Sequence, residues 1–179
     1  MSLIKSIQNT FFRQALKRKK KIAGGNKSAM NFSTAKSIAV LIDLGKDTES
    51  QDATMVLKYI NSLRGYGKTI TLLAYIDLPK FPDVLGFDAF CKKDLSWAKV
   101  PKGAVCENFL AKEYDFLLCL YQECPEGLEF LAASCSAVIK AGFYKSNEAF
   151  QPDLMVHNKN NNFSRALNQL DELLKRINK

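Results

Sequence analysis

Four stretches of the sequence are apolar almost throughout. The strongest is YDFLLCLY at 114–121, and the others lie at 36–43, 68–77 and 136–143. Each has the length of a β-strand, and segments with helical periodicity lie between them. Strands with apolar side chains on both faces need a cover on both faces, which is typical of a parallel sheet between helices. The sequence therefore predicts a single α/β domain of three layers.

Two weaker segments, around 87–91 and 153–158, are candidates for further strands of the sheet. We expect a mostly parallel sheet of about five strands, of flavodoxin-like or Rossmann-like character. For the helix after the first strand, Thr48 is the predicted N-cap, with Gln51 three residues later as in a capping box, and Gly65 is the predicted C′ residue. The later helices are predicted at 105–112, 125–134 and 162–178.

The positive charge of the chain is concentrated at its N-terminus. Residues 1–36 contain nine Lys or Arg and no Asp or Glu, whereas residues 37–179 contain 17 basic and 18 acidic side chains. The first segment therefore carries a charge of +9 and the remainder −1, which together give the net charge of +8. We divide the chain into a basic amphipathic arm, residues 1–35, and an α/β domain, residues 36–179.

Residues 2–16 are predicted to form an amphipathic helix. Its apolar stripe consists of Leu3, Ile4, Ile7, Phe11 and Ala15, with Phe12 at the edge. The basic residues that follow or oppose the stripe are Arg13, Lys17, Arg18, Lys19, Lys20 and Lys21. Three partners fit this pattern: the protein's own domain or a second subunit, an anionic membrane surface, and nucleic acid. The aliphatic residues favour a protein or lipid surface, because phosphate contacts have no use for them.

Acidic side chains follow two of the predicted strands. Asp43 and Asp77 come at carboxyl ends, where open α/β sheets bind ligands. With Asp47 they have the oxygen ligands for a divalent metal ion, or they act in acid–base chemistry. Aspartates at such positions also form turns and helix caps. The two interpretations are open, and the acidic pocket is the alternative to binding through the arm.

The segment 78–103 interleaves aromatic and basic side chains. The aromatic residues are Phe81, Phe87, Phe90 and Trp97, and the lysines among them include Lys92, Lys93, Lys99 and Lys102. Exposed rings stack on nucleobases, and buried rings fold a loop onto the core. Burying each ring stabilises the fold by about 1.5–3 kcal/mol, which favours packing of the rings over exposure.

Several common sites are excluded by spacing. RGYGKT at 64–69 ends like a phosphate loop, but it follows a helix and precedes a strand, which is the reverse of the required order. The five cysteines are an odd number without a Cys-x-x-Cys pair, which is typical of reduced thiols in the cytoplasm. We expect neither a signal peptide nor a transmembrane span. We predict no cofactor, no metal site and no catalytic residue.

The chain resembles a family of uncharacterised small bacterial proteins. The resemblance rests on the IAVLID strand and on the residues Tyr114 to Leu118, Ala132 to Ser134, Ser136-Ala137 and Ala141-Gly142. It implies no activity. The same strand–helix–strand pattern is similar to units of two-domain glycosyltransferases, which bind a nucleotide sugar between two such domains. From the charge of the arm we expect a non-catalytic cytoplasmic binding protein that engages an anionic surface or partner through its basic arm, with peripheral membrane association as one option. The alternative is a small enzyme or a degenerate single-domain relative of glycosyltransferases.

Overall fold

A computed structural model describes residues 10–15, 30–47, 50–78, 86–123, 125–144, 150–158 and 162–177. The strands are β1 (Ser37–Asp43), β2 (Thr69–Ile76), β3 (Asp88–Cys91), β4 (Glu113–Leu120), β5 (Ser136–Phe143) and β6 (Leu154–Val156). The helices are α1 (Gln51–Gly65), α2 (Ala104–Leu110), α3 (Glu126–Ser134) and α4 (Phe163–Arg176). Residues 10–15 are also helical, and Lys92–Asp94 form a 3₁₀ turn.

The six described strands form one parallel sheet in the order β3-β2-β1-β4-β5-β6. The predicted α/β class and parallel sheet are confirmed. The order is the Rossmann-like order 3-2-1-4-5-6 and not the flavodoxin-like order 2-1-3-4-5. The two weakest predicted strands, β3 and β6, lie at the edges, where a short strand needs only one neighbour.

Helices cover both faces of the sheet. On one face, Ile38, Val40 and Ile42 of β1 pack in a core with α1 and α4. On the other, Ala39 and Leu41 pack in a core with α2 and α3. We call these the α1/α4 face and the α2/α3 face. The alternation follows from the strand geometry, because successive side chains point to opposite sides of a sheet.

The described parts of the N-terminal arm contact both faces. Phe12 is buried in the core of the α2/α3 face, with Ala15 packed against it. Phe32 instead joins the core of the α1/α4 face and meets Phe116 edge to face, with ring centroids 5.1 Å apart. Residues 16–29, which contain the basic run, therefore connect two stretches of chain that pack on opposite faces of the sheet.

A buried lysine holds the second of these stretches. Nζ of Lys68 donates hydrogen bonds to the carbonyl oxygens of Phe32, at 2.6 Å, and Ala35, at 2.9 Å. It also lies 4.9 Å from the centre of the Phe32 ring. Burial lowers the pKa of Lys68, and the charge of Asp115 opposes that shift. A buried ammonium needs such acceptors, and here the backbone before β1 supplies them.

The ends of α1 differ from the prediction. Ser50 is the N-cap, because its Oγ accepts the N–H of Ala53 at 3.2 Å; Thr48 lies outside the described residues. Gly65 is the last helical residue, not the C′ residue, and the left-handed residue is Gly67, with φ of 75°. Both Gly65 and Gly67 lie near the end of α1, and it is Gly67 that adopts the left-handed conformation where the chain turns toward β2.

Gly142 of β5 is expected to tolerate no side chain. A Cβ at this position would lie 2.8 Å from both Cβ and the carbonyl oxygen of Cys119 on β4. Since a strand backbone in the sheet cannot move freely, Gly142→Ala should lower the free energy of unfolding by about 1–3 kcal/mol in urea denaturation. Gly65→Ala is the control: it meets no atom within 4 Å and should leave stability unchanged or raise it by up to about 1 kcal/mol. Equal stabilities for the two variants would contradict the close approach of β4 and β5.

Candidate functional site

The topological switch point of the sheet lies between β1 and β4. The chain leaves β1 toward α1 on one face and leaves β4 toward α3 on the other, so the carboxyl ends of these neighbouring strands diverge. Ligands of open α/β proteins bind in the crevice that such divergence creates. Here the crevice has a volume of about 230 Å³, and its polar lining is Asp43, Ser50, Asp52, Gln122 and Glu123.

Most polar side chains of this switch-point crevice are held by protein groups. Oδ1 of Asp43 accepts the N–H of Gly45 at 2.8 Å, and Ser50 caps α1. Nε2 of Gln122 donates to Oδ2 of Asp52 at 2.9 Å, and Nδ2 of Asn158 donates to Oε1 of Gln122 at 3.4 Å. These bonds tie α1, β4 and β6 together along the carboxyl edge of the sheet.

The electrostatics of the crevice do not suit phosphate. Its lining carries Asp43, Asp52 and Glu123, and no Lys or Arg is among the described residues that line it. Doubly wound proteins that bind dinucleotides place the pyrophosphate at a glycine-rich helix N-terminus. A hydroxyl-rich or cationic molecule would fit an acidic lining better than an anion would.

Asp77 occupies the same edge but belongs to a different contact. It forms an ion pair with Lys92, which follows β3. The hydrogen bond from Lys92 is the main reason that the pKa of Asp77 lies below its ordinary value. Tyr75 lies near both aspartates: burial, then Asp77, then Asp43 raise its pKa to about 12. Asp43 and Asp77 are thus neighbours along the sheet edge, with Asp43 in the crevice and Asp77 paired beside it.

Metal binding at this edge is expected to be weak. Within the described ranges, no group of three or more His, Cys, Asp or Glu is arranged to hold a metal ion. Calorimetric titration of Mg²⁺ or Mn²⁺ should give no tight binding, and Asp43→Asn and Asp77→Asn should not change the isotherm. We expect no tight binding because Asp77 is paired with Lys92, so a metal ion would have to displace the ammonium group of Lys92. Tight binding that either substitution abolished would instead support the acidic pocket as a metal site.

A second surface brings the N-terminal arm and the aromatic loop together. Phe12 is 5% exposed and packs beside Phe130 of α3, with ring centroids 6.2 Å apart. Phe11 is 52% exposed and meets Trp97 edge to face, with centroids 5.7 Å apart. Phe12, expected at the edge of the stripe, is therefore the residue that docks, whereas Phe11 lies at the surface. Arg13 is exposed as well.

The loop that carries Trp97 is held by its own backbone. Leu95 and Pro101 form an antiparallel bridge, and the N–H of Ser96 donates to the carbonyl of Val100 at 2.8 Å. Leu95 and Val100 pack against the core of the α2/α3 face. Trp97 lies between these contacts and is 57% exposed, so the loop presents the ring to solvent from a packed base.

The aromatic segment divides between packing and exposure. Phe90 is 1% exposed, and Phe87 is partly buried against the core. Trp97 is exposed, and so are the described lysines of the segment, Lys92, Lys93, Lys99 and Lys102. Packing therefore accounts for Phe87 and Phe90, whereas Trp97 belongs to the surface.

Part of the predicted site lies outside the described residues: Leu3, Ile4, Ile7, Phe81, Lys17, Arg18, Lys19, Lys20 and Lys21. Sequence reasoning missed the docking of Phe12 and its consequence for Phe11. The i, i+3 spacing of Phe12 and Ala15 is the signal for a face centred on Phe12. No signal in the sequence links Phe11 to Trp97.

The strand order and the two helical layers define a doubly wound α/β protein. Residues 8–177 match the model described as Family of unknown function (DUF6913), and the chain belongs to that family. Neither a curated protein nor a solved structure gives a significant match. A fold of this kind hosts many functions, so function has to be argued from the surfaces. Of the helices that the structure describes, none is long and apolar enough to cross a membrane.

Proposed function

We propose that the protein is a non-catalytic binding protein that engages a polyanionic surface through its basic N-terminal arm. The observation that carries the proposal is the separation of charge. Residues 1–36 contain nine basic and no acidic side chains, eight of the nine within the arm, and residues 37–179 contain 17 basic and 18 acidic ones. A near-neutral domain has no long-range attraction to a polyanion, so the arm supplies the electrostatic affinity.

The packing of the arm supports the same function. Lys17 to Lys21 lie in the chain between Phe12, buried on the α2/α3 face, and Phe32, buried on the α1/α4 face. A segment attached at both ends has fewer conformations to lose on binding than a free terminus. The five consecutive cations would therefore lose less conformational entropy on binding than a free terminal tail would.

Each cation near an anionic bilayer contributes about 1 kcal/mol, and on duplex nucleic acid each neutralised phosphate contributes a log–log salt slope of about −0.9. Arg13 and the five residues of the run thus supply roughly 6 kcal/mol on a membrane surface. That is a useful affinity for a reversible peripheral contact.

The second candidate is a ligand-binding or enzymatic role for the switch-point crevice, including the role of a degenerate single-domain relative of glycosyltransferases. The observation that favours it is the position of Asp43 at the point where doubly wound sheets bind ligands. The acidic lining and the engaged side chains argue against a nucleotide sugar, because its diphosphate needs cations or free backbone donors.

The arm is tested by neutralising its charges in place. Removing residues 1–27 would also remove Phe12 from the core, so substitution is the cleaner experiment. Changing all five residues from Lys17 to Lys21 to Gln should weaken co-sedimentation with anionic vesicles by roughly a few thousandfold at low salt, since five cations are lost. The remaining binding should depend less on salt concentration.

The matched control removes five exposed cations of the domain. The control residues, all changed to Gln, are Lys46, Lys58, Arg64, Lys112 and Arg176. Their loss changes the net charge equally and should weaken binding far less. Equal losses in the two variants would mean that overall charge, and not the arm, drives association. The proposal would be refuted if the wild type bound neither anionic vesicles nor duplex DNA at low salt.

A further inference from the structure

We infer that the anionic surface is a phospholipid bilayer and that Phe11 and Trp97 insert together into its interface. The inference rests on the proposed function of the arm and adds to it a contact that charge alone does not predict. Single exposed apolar residues are ordinary on protein surfaces. Two large rings that are each more than half exposed and lie against each other are not accounted for by packing of the domain.

The pair is built from parts of the chain that are far apart. Phe11 is placed by the docking of Phe12 onto Phe130, and Trp97 is placed by the bridge between Leu95 and Pro101. Both bases are packed in the core of the α2/α3 face, so the two rings are positioned before any partner arrives. A surface of this kind loses little conformational entropy on insertion.

The charges of the loop match an anionic bilayer. Lys93, Lys99 and Lys102 are exposed within five residues of Trp97, where the one acidic side chain, Asp94, accepts the N–H of Cys91; the basic run follows Phe11 by six residues. Trp is enriched at the level of the lipid headgroups, where its ring is amphipathic. Cations attract the domain to the headgroups while the rings enter the boundary with the acyl chains.

Geometry favours lipid over nucleic acid. Nucleobases stack on the open face of an aromatic ring. The planes of Phe11 and Trp97 make an angle of 69°, so the edge of one ring already occupies a face of the other. Insertion into lipid makes no such demand, because it removes ring area from water in any orientation.

Trp97 is the only tryptophan of the chain and reports directly on its own environment. The full-length protein would be titrated with vesicles of phosphatidylcholine and phosphatidylglycerol, with phosphatidylcholine vesicles alone and with duplex DNA. With the anionic vesicles the emission of Trp97 should shift to the blue, and lipids brominated on their acyl chains should quench it. With the other two probes neither change is expected.

Two variants test the pair in the same assay. Phe11→Ala should reduce the blue shift of Trp97. Phe11→Ala and Trp97→Ala should each weaken co-sedimentation with anionic vesicles roughly tenfold, because each variant removes one half-exposed ring that would insert. Tyr66→Ala is the control: Tyr66 is 75% exposed, follows α1 on the opposite face of the sheet and should have no effect.

The outcomes separate this inference from the proposed function. If anionic vesicles bind but the emission of Trp97 is neither shifted nor quenched, insertion is wrong and arm-mediated binding stands. If duplex DNA binds and vesicles do not, the bilayer is wrong and the partner is nucleic acid. If no polyanion binds, both proposals fail.

Discussion

The central strands of the sheet bury their side chains on both faces, and the rest of the structure follows from that constraint. From Ile38 to Leu41 every residue of β1 is 0% exposed. Two helical layers are therefore needed, and the short helices α2 and α3 share one of them with residues 10–15 of the arm. Burying a ring such as that of Phe12 contributes about 1.5–3 kcal/mol toward holding residues 10–15 on the domain.

This constraint also explains the mixed character of the arm. Phe12 and Ala15 pack against the α2/α3 face of the domain. The helical geometry then leaves Phe11 and Arg13 exposed to solvent. The same segment thus completes a core and presents groups to a partner. Its basic run is bounded in the chain by packed residues, which distinguishes it from a cationic tail attached at one end.

Much of the fold could be predicted from the sequence, because apolar strands and amphipathic helices leave local patterns. β1, β2, β4 and β5 were predicted within one residue of their observed ends. The strand order could not be predicted, since each buried strand has the same composition and pairing depends on distant contacts. The sequence could not distinguish Thr48 from Ser50 as the N-cap, because both have a hydroxyl group that can accept a backbone N–H. The choice depends on where the helix begins, and the helix begins at Gln51, directly after Ser50. The positions of Asp43 and Asp77 at the ends of strands could be predicted. The ion pair of Asp77 with Lys92 and the contact of Phe11 with Trp97 could not, because each joins residues from different elements.

The docking of Phe12 is the claim on which the binding surface depends, and nuclear Overhauser spectroscopy of the aromatic rings tests it most directly. In the full-length protein, ring protons of Phe12 should show cross-peaks to Phe130, and those of Phe11 should show cross-peaks to Trp97. The amides of residues 10–15 should have helical chemical shifts. Random-coil shifts for these amides, together with the absence of both sets of cross-peaks, would contradict the account, because the arm would then be a free tail and the aromatic surface would not exist.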